Sequence, residues 1–245
     1  LVARMIFVVS GPSGCGKSTL IKHLLSILPD LEFSVSHTTR LPRADEVNGR
    51  DYYFVSHQEF QKMQSAGAFA ESAIVHGEMY GTSLEEIKNK SEGRDLVLDI
   101  DVQGARQIKS KLEEARLIFV VPPSFPELEK RLRQRRTDSP EAIALRLENA
   151  RKEILESDVF DYLVINGELA RAVDELRSII VAHRCQFKER QKEFQEILNF
   201  KNVLSLRNDL PWTIDLLEKF EDKWDWKLLS ENENLFWSDE MISRF

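Results

Sequence analysis

Gly11-Pro12-Ser13-Gly14-Cys15-Gly16-Lys17-Ser18 matches the pattern G-x-x-x-x-G-K-[ST] at every fixed position. It follows the apolar run Met5-Ile6-Phe7-Val8-Val9 and opens the apolar-periodic segment Thr19 to Leu28. A strand must therefore deliver a tight loop to the first turn of a helix, expected from Ser18. Glycines let the backbone curl so that successive N–H groups face one anion, and the helix adds its positive dipole end. The chemistry this dictates is binding of a nucleotide phosphate. Lys17 is placed to reach the β- and γ-phosphates, and Ser18 to hold Mg²⁺ through its hydroxyl, with water at most other positions.

With 245 residues, 42% of them hydrophobic, the chain has room for one α/β domain of about 200 residues and a smaller appendage. No apolar run approaches the ~20 residues of a membrane span. The N-terminus lacks a charged-then-apolar leader pattern, so a cytoplasmic protein is expected, with Met5 a candidate natural start. Cys15 and Cys185 show no metal-type spacing and no disulfide framework. The net charge of -7 argues against a general nucleic-acid surface. The acid is concentrated late: from Leu210 to Phe245 nine acidic and four basic residues leave a net of -5.

Beyond the first helix, Pro29-Asp30 breaks the chain and Phe33-Ser34-Val35-Ser36 alternates like a half-buried strand. Thr38-Thr39-Arg40-Leu41-Pro42-Arg43 and Asp51-Tyr52-Tyr53-Phe54 then place two arginines among tyrosines. That composition suits a phosphate monoester, gripped by guanidinium forks and neutral phenol donors. Phe69-Ala70-Glu71 and Met79-Tyr80-Gly81-Thr82 bracket a hairpin around His76-Gly77, and Ser83 to Lys90 reads as a capped helix. Leu96 to Asp101 reads as a buried strand ending in carboxylates, where open parallel sheets place ligand groups. Asp99 there is expected to orient the water shell of Mg²⁺. A strand over Ala115 to Val121 precedes an arginine-rich region in which Arg131 and Arg135 share a helix face and Arg133 turns away. A second helix is expected near Ser139-Pro140, carrying Arg146. A last strand, Asp161 to Asn166, leads to a closing helix from Glu168 to about Arg190.

In order and spacing, the phosphate loop, Ser36-x-x-x-Arg40-x-x-Arg43 with Tyr52, Glu71 with Tyr80-Gly81-Thr82, and Asp99-Ile100-Asp101-x-Gln103-Gly104 closely resemble guanylate kinase, from about Met5 to Arg190. The resemblance implies an α/β P-loop NTPase of the nucleoside monophosphate kinase type. It would comprise a core with a parallel sheet (5–32, 91–123 and 158–190), a GMP-binding insertion (33–90) and a helical lid (124–157). Positions matching Arg40, Arg43, Tyr52 and Tyr80 bind the GMP phosphate in the family, and those matching Ser36, Glu71, Thr82 and Asp101 read the guanine. One carboxylate at Glu71 can accept from N1–H and N2–H₂ of guanine together, whereas adenine would leave it desolvated and unpaired at a cost of several kcal/mol. The ATP-binding set implied is Gly11, Ser13, Gly14, Cys15, Gly16, Lys17, Ser18 and Thr19, with Asn166 near the adenine. Lys17, Arg40, Arg131, Arg135 and Arg146 are the implied catalytic cations. Two departures are Arg136, where Gly is common after the lid arginine, and Gly167, where Asp is common. An alternative expectation is an inactive guanylate-kinase-like module binding phosphopeptides, and another is a related kinase for a different acceptor.

Beyond about Gln191 the pattern changes to an acidic helical tail, 191–245. Leu210-Pro211-Trp212-Thr213 and Leu235-Phe236-Trp237-Ser238 are 25 residues apart, as are Phe220 and Phe245, and Leu204-Ser205 and Leu229-Ser230. Such a period marks small units that bury apolar faces against one another. The tail is expected to dock on the rest of the chain, on a protein partner or on itself, to continue past Phe245, or to be an appendage without a separate role.

Overall fold

The computed structural model describes residues 5–75, 77–91, 93–134, 139–191, 193–194, 205, 207 and 209–245. Two compact units are present, Leu1–Ile180 and Val181–Phe245. No helix among the described residues is long and apolar enough to cross a membrane.

The first unit is built on a five-stranded sheet in the order β2-β7-β1-β8-β9, from Leu31–Phe33, Asp95–Asp99, Ile6–Ser10, Arg116–Val121 and Tyr162–Ile165. Every pair is parallel. The three inner strands are continuous apolar runs because helices cover both faces. Val8, Leu96, Leu98 and Leu117 are fully buried and join Ala105 and Ile108 of α4 (Val102–Lys111) in one core. Helix α1 (Lys17–Ile27) buries Leu20, Ile21 and Leu24. It starts one residue before Ser18, with Gly16 at φ 98 as its left-handed cap.

A second sheet, in the order β4-β3-β6-β5, comprises Tyr53–Phe54, His37–Thr38, Glu78–Ser83 and Phe69–Val75. Strands β5 and β6 are the expected hairpin, although His76 lies outside the described residues, and their register shifts between Phe69 and Glu71. Helix α2 (His57–Ser65) stacks Phe60 on Phe69 at 4.5 Å. Helix α3 (Leu84–Lys90) is capped by the Ser83 hydroxyl, which accepts from the Glu86 N–H. The expected strand over Phe33 to Ser36 stops at Phe33. The Val35 N–H donates instead to the buried Glu86 carboxylate at 2.9 Å, so a side chain takes the place of a ladder partner.

Helices α5 (Phe125–Gln134) and α6 (Pro140–Leu155) follow β8, with Ser139 capping the second by accepting from Ala142 N–H. Leu128, Leu132, Ile143 and Ala150 pack between them. Helix α7 (Leu169–Arg184) ends earlier than expected because Cys185 and Gln186 enter turns that close on Ala182 and His183 carbonyls. In the second unit, helices Ile214–Lys219, Trp226–Ser230 and Asp239–Arg244 gather around buried Leu217, Trp224, Leu229, Leu235 and Met241.

Leu98 has no exposure and lies at the centre of the main core. Leu98→Ala should lower the unfolding free energy by about 2–5 kcal/mol, read from urea denaturation of the full chain.

Candidate active site

The C-terminal edge of the parallel sheet faces a cleft, and the loops leaving β1 and β7 form its floor. Gly11 adopts φ 142, and a Cβ there would lie 2.0 Å from the Val120 carbonyl oxygen. Only glycine lets the loop pass the neighbouring strand so closely. Lys17 Nζ donates to the Gly11 carbonyl at 2.5 Å and lies 3.9 Å from Asp99 Oδ1. The Ser18 hydroxyl donates to Asp99 Oδ2 at 3.5 Å. Burial by itself would lower the Lys17 pKa. Surrounding side chains, Asp99, Glu153 and Asp101 among them, more than offset this, and the ammonium is held above its ordinary value. Burial raises Asp99, with Lys17 and Ser18 pulling the other way.

Cys15 is fully buried behind the loop, and burial pushes its thiol pKa up, leaving a small neutral packing group rather than a nucleophile. The Cys15 carbonyl accepts from Asn166 Nδ2 at 2.7 Å and from Arg131 Nη1 at 3.4 Å. Arg131 also donates to the Asn166 carbonyl at 3.0 Å and to Glu127 at 3.0 Å. Asn166 and Arg131 thus brace the loop from behind and do not line the cleft. Arg146 of α6 does line it and donates to the Ser13 hydroxyl at 2.9 Å. Arg135, the remaining lid candidate, lies outside the described residues, as does Arg136.

Across the cleft, the second sheet and the start of α4 present another polar set. Glu71 on β5 is 2% exposed, and its Oε1 accepts from the Thr82 hydroxyl at 2.7 Å, which in turn lies 3.1 Å from the Ser36 hydroxyl. Burial raises the Glu71 pKa to about 7; the Thr82 hydrogen bond opposes this and the Asp101 charge adds to it. Asp101 follows β7 as the cap of α4, accepting from Gly104 N–H at 2.8 Å and from Gln103 Nε2 at 3.2 Å. Arg40 lies 5.5 Å from the Tyr52 ring, and Tyr52 meets Tyr80 edge-on at 5.9 Å. Ser36, Arg40, Arg43, Tyr52, Glu71, Tyr80 and Asp101 share one cleft with Gly11, Ser13, Gly14, Gly16, Lys17, Ser18, Thr19 and Asp99. Thr82 is buried behind Glu71.

Two contributors, Glu46 and Glu153, were missed in the sequence, and a third, Gly104, stood in a quoted motif without a role. Glu46 accepts from Arg40 Nη2 and from the Arg43 N–H, both at 2.8 Å, and so sets the two arginines side by side. Its place three residues after Arg43 was the available signal. Glu153 lines the cleft seven residues after Arg146, hence on the same face of α6. Gly104 leaves space for Glu71: a Cβ there would come within 2.4 Å of its Oε2. Nothing local in the sequence foretells that approach.

A phosphate loop under a parallel sheet, facing an arginine–tyrosine pocket beside a buried carboxylate, defines a phosphate-loop kinase whose acceptor is itself a small phosphate ester. The family model "Guanylate kinase" matches residues 3–183. The guanylate kinase of Geobacter metallireducens is 49% identical over 183 residues, covering 74% of this chain and 90% of the relative. That of Koribacter versatilis is 43% identical over 226 residues, covering 90% of this chain and 97% of the relative, a span too long for residues 1–190 alone, so part of the tail is matched too. The crystal structure of guanylate kinase from Anaplasma phagocytophilum superimposes with a TM-score of 0.65 at 30% identity, covering 80% of this chain and 94% of that one. The chain belongs to the guanylate kinase family.

The Glu71 site carries a stability signature. Its folded pKa of about 7 lies above the ordinary 4.5, so its contribution is fully present below about pH 4.5 and is lost as pH rises through about 7. Glu71→Gln should match the parent in unfolding free energy at pH 4.5 and exceed it by up to about 3 kcal/mol above pH 7, measured by urea denaturation across that range.

Proposed function

We infer that the two sides of the cleft divide one reaction between them, the phosphate loop taking ATP and the second sheet taking GMP. The reaction is ATP + GMP to ADP + GDP. The observation that carries the division of labour is the single cleft in which Lys17 and Arg146 face Arg40, Arg43 and Glu71. The Glu71 carboxylate accepts from N1–H and N2–H₂ of guanine, Thr82 and Ser36 hold that carboxylate in place, and Asp101 adds a further acceptor. Arg40, Arg43, Tyr52 and Tyr80 take the acceptor phosphate, neutralising it so that two anions can meet.

A GMP phosphate oxygen attacks the γ-phosphorus in line, and the bond to the β,γ-bridging oxygen breaks. No side chain need form a covalent intermediate. Lys17, with Arg146, stabilises the charge on the moving phosphoryl group. Arg131 and Asn166 support the donor site by bracing the Cys15 carbonyl, and Arg135 is assigned to the lid on the resemblance alone. Ser18 and Asp99 offer oxygen donors only, and the described residues contain no cluster of three or more histidine, cysteine or acidic side chains that could hold a metal. That fits Mg²⁺ held by Ser18, by Asp99 through water and by the nucleotide itself. When bound, Mg²⁺ supplies charge neutralisation between the phosphates.

The intact cradle at Gly16, Lys17 and Ser18 separates this reading from a phosphopeptide-binding module. Residues 1–190 are assigned to the kinase and 191–245 to an accessory tail. A cytoplasmic location completes the reading, supported by free thiols at Cys15 and Cys185.

Lys17→Ala should lower kcat by at least about a thousandfold while GMP still binds, as followed by coupled ADP release and by calorimetry. Near-normal turnover in that variant would sink the mechanism.

A further inference from the structure

Strand β5 is the outer strand of the second sheet, and its free edge meets α4 rather than another strand. Two side chains one turn apart on α4 take the edge hydrogen bonds that a fifth strand would have taken. Gln107 Oε1 accepts from the Ser72 N–H at 3.1 Å, and its Nε2 donates to the Ser72 carbonyl at 2.8 Å. Lys111 Nζ donates to the Ala70 carbonyl. The outward-facing backbone groups of an edge strand belong to alternate residues, so a helix that holds positions 70 and 72 brackets position 71. That position is Glu71.

The other end of α4 faces the same carboxylate. Asp101 caps the helix, and a Cβ on Gly104 would lie 2.4 Å from Glu71 Oε2 and 3.3 Å from Asp101 Oδ1. Positions 104, 107 and 111 recur at helical spacing, so the face of α4 that admits Glu71 is also the face that grips the strand on either side of it. The two carboxylates repel, and the Asp101 charge adds to the raised pKa of Glu71. Their spacing is therefore imposed by the packing of helix on strand, and the bonds from Gln107 and Lys111 are the polar part of that packing.

We propose, resting on the GMP reading of this cleft, that Gln107 together with Lys111 is a positioning clasp that sets Glu71 against Asp101 and makes the site selective for the 2-amino group of guanine. Guanine presents three N–H donors along one edge, one on N1 and two on N2, and a pair of carboxylates at fixed separation takes them together. Hypoxanthine keeps the N1 donor and lacks the other two, so IMP needs one carboxylate alone. Loosening the clasp costs GMP more than IMP. Gln107 does not line the cleft and acts through Ser72 and Glu71.

Gln107→Met keeps the length of the side chain and removes both bonds to Ser72. By calorimetry and coupled ADP release it should weaken GMP at least about tenfold and IMP less than about threefold, with the KM for ATP unchanged. Lys111 is exposed, so Lys111→Met leaves the fold intact and should lower the GMP-to-IMP preference about threefold. With Asp101→Asn already in place, Gln107→Met should lower that preference no further, because the spacing it controls no longer joins two carboxylates. An unchanged preference in Gln107→Met, or in Lys111→Met where the first variant does not fold, overturns the clasp and leaves the GMP reading standing. So does an equal weakening of GMP and IMP. A parent chain that binds GMP no better than IMP overturns the GMP reading, and the clasp with it.

Discussion

The pairing of β1 with β7 sets Val9 against Asp99 and thereby puts a lysine and a carboxylate at the same edge of one sheet. Lys17 and Asp99 come within 3.9 Å, both largely desolvated; burial raises the Asp99 pKa while the Lys17 charge pulls it down, and the ammonium is held above its ordinary value. The phosphate loop is shaped around this pair: Gly11 passes the Val120 carbonyl, Lys17 folds back to the Gly11 carbonyl, and Ser18 reaches Asp99.

The acceptor side solves a different problem. On the proposed reading Glu71 meets the edge of a base, which requires a carboxylate that is dry and yet available; it accepts from Thr82 with one oxygen while Gly104 leaves room for the other. Stability is given up there, since burial raises its pKa to about 7 and the Thr82 hydrogen bond offsets only part of that cost. Recognition sites commonly carry such strain or mismatch, and the rest of the core sustains it.

The arginines of the cleft and of the loop behind it are held by contacts within the chain. Glu46 holds Arg40 and the Arg43 backbone, Glu127 holds Arg131, and the Ser13 hydroxyl accepts from Arg146. On the proposed reading, the contacts to Arg40 and Arg146 hold two long side chains beside the phosphates, which lowers the entropic cost of binding them.

The elements of the kinase unit and most of its site were legible because their signals are local. A glycine-rich loop needs its glycines in consecutive positions, buried parallel strands need unbroken apolar runs, and caps such as Ser83 and Ser139 stand directly before their helices. The tryptophan period of the tail was equally plain. What only the tertiary structure decided involves partners distant in sequence: Val35 bonded to Glu86 in place of a strand, Gly104 against Glu71, and Arg131 and Asn166 meeting behind Cys15. Sequence spacing carries the periodicity of one element. It carries no measure of the distance between two side chains that meet only when separate elements pack, and the raised pKa of Glu71 depends on that distance.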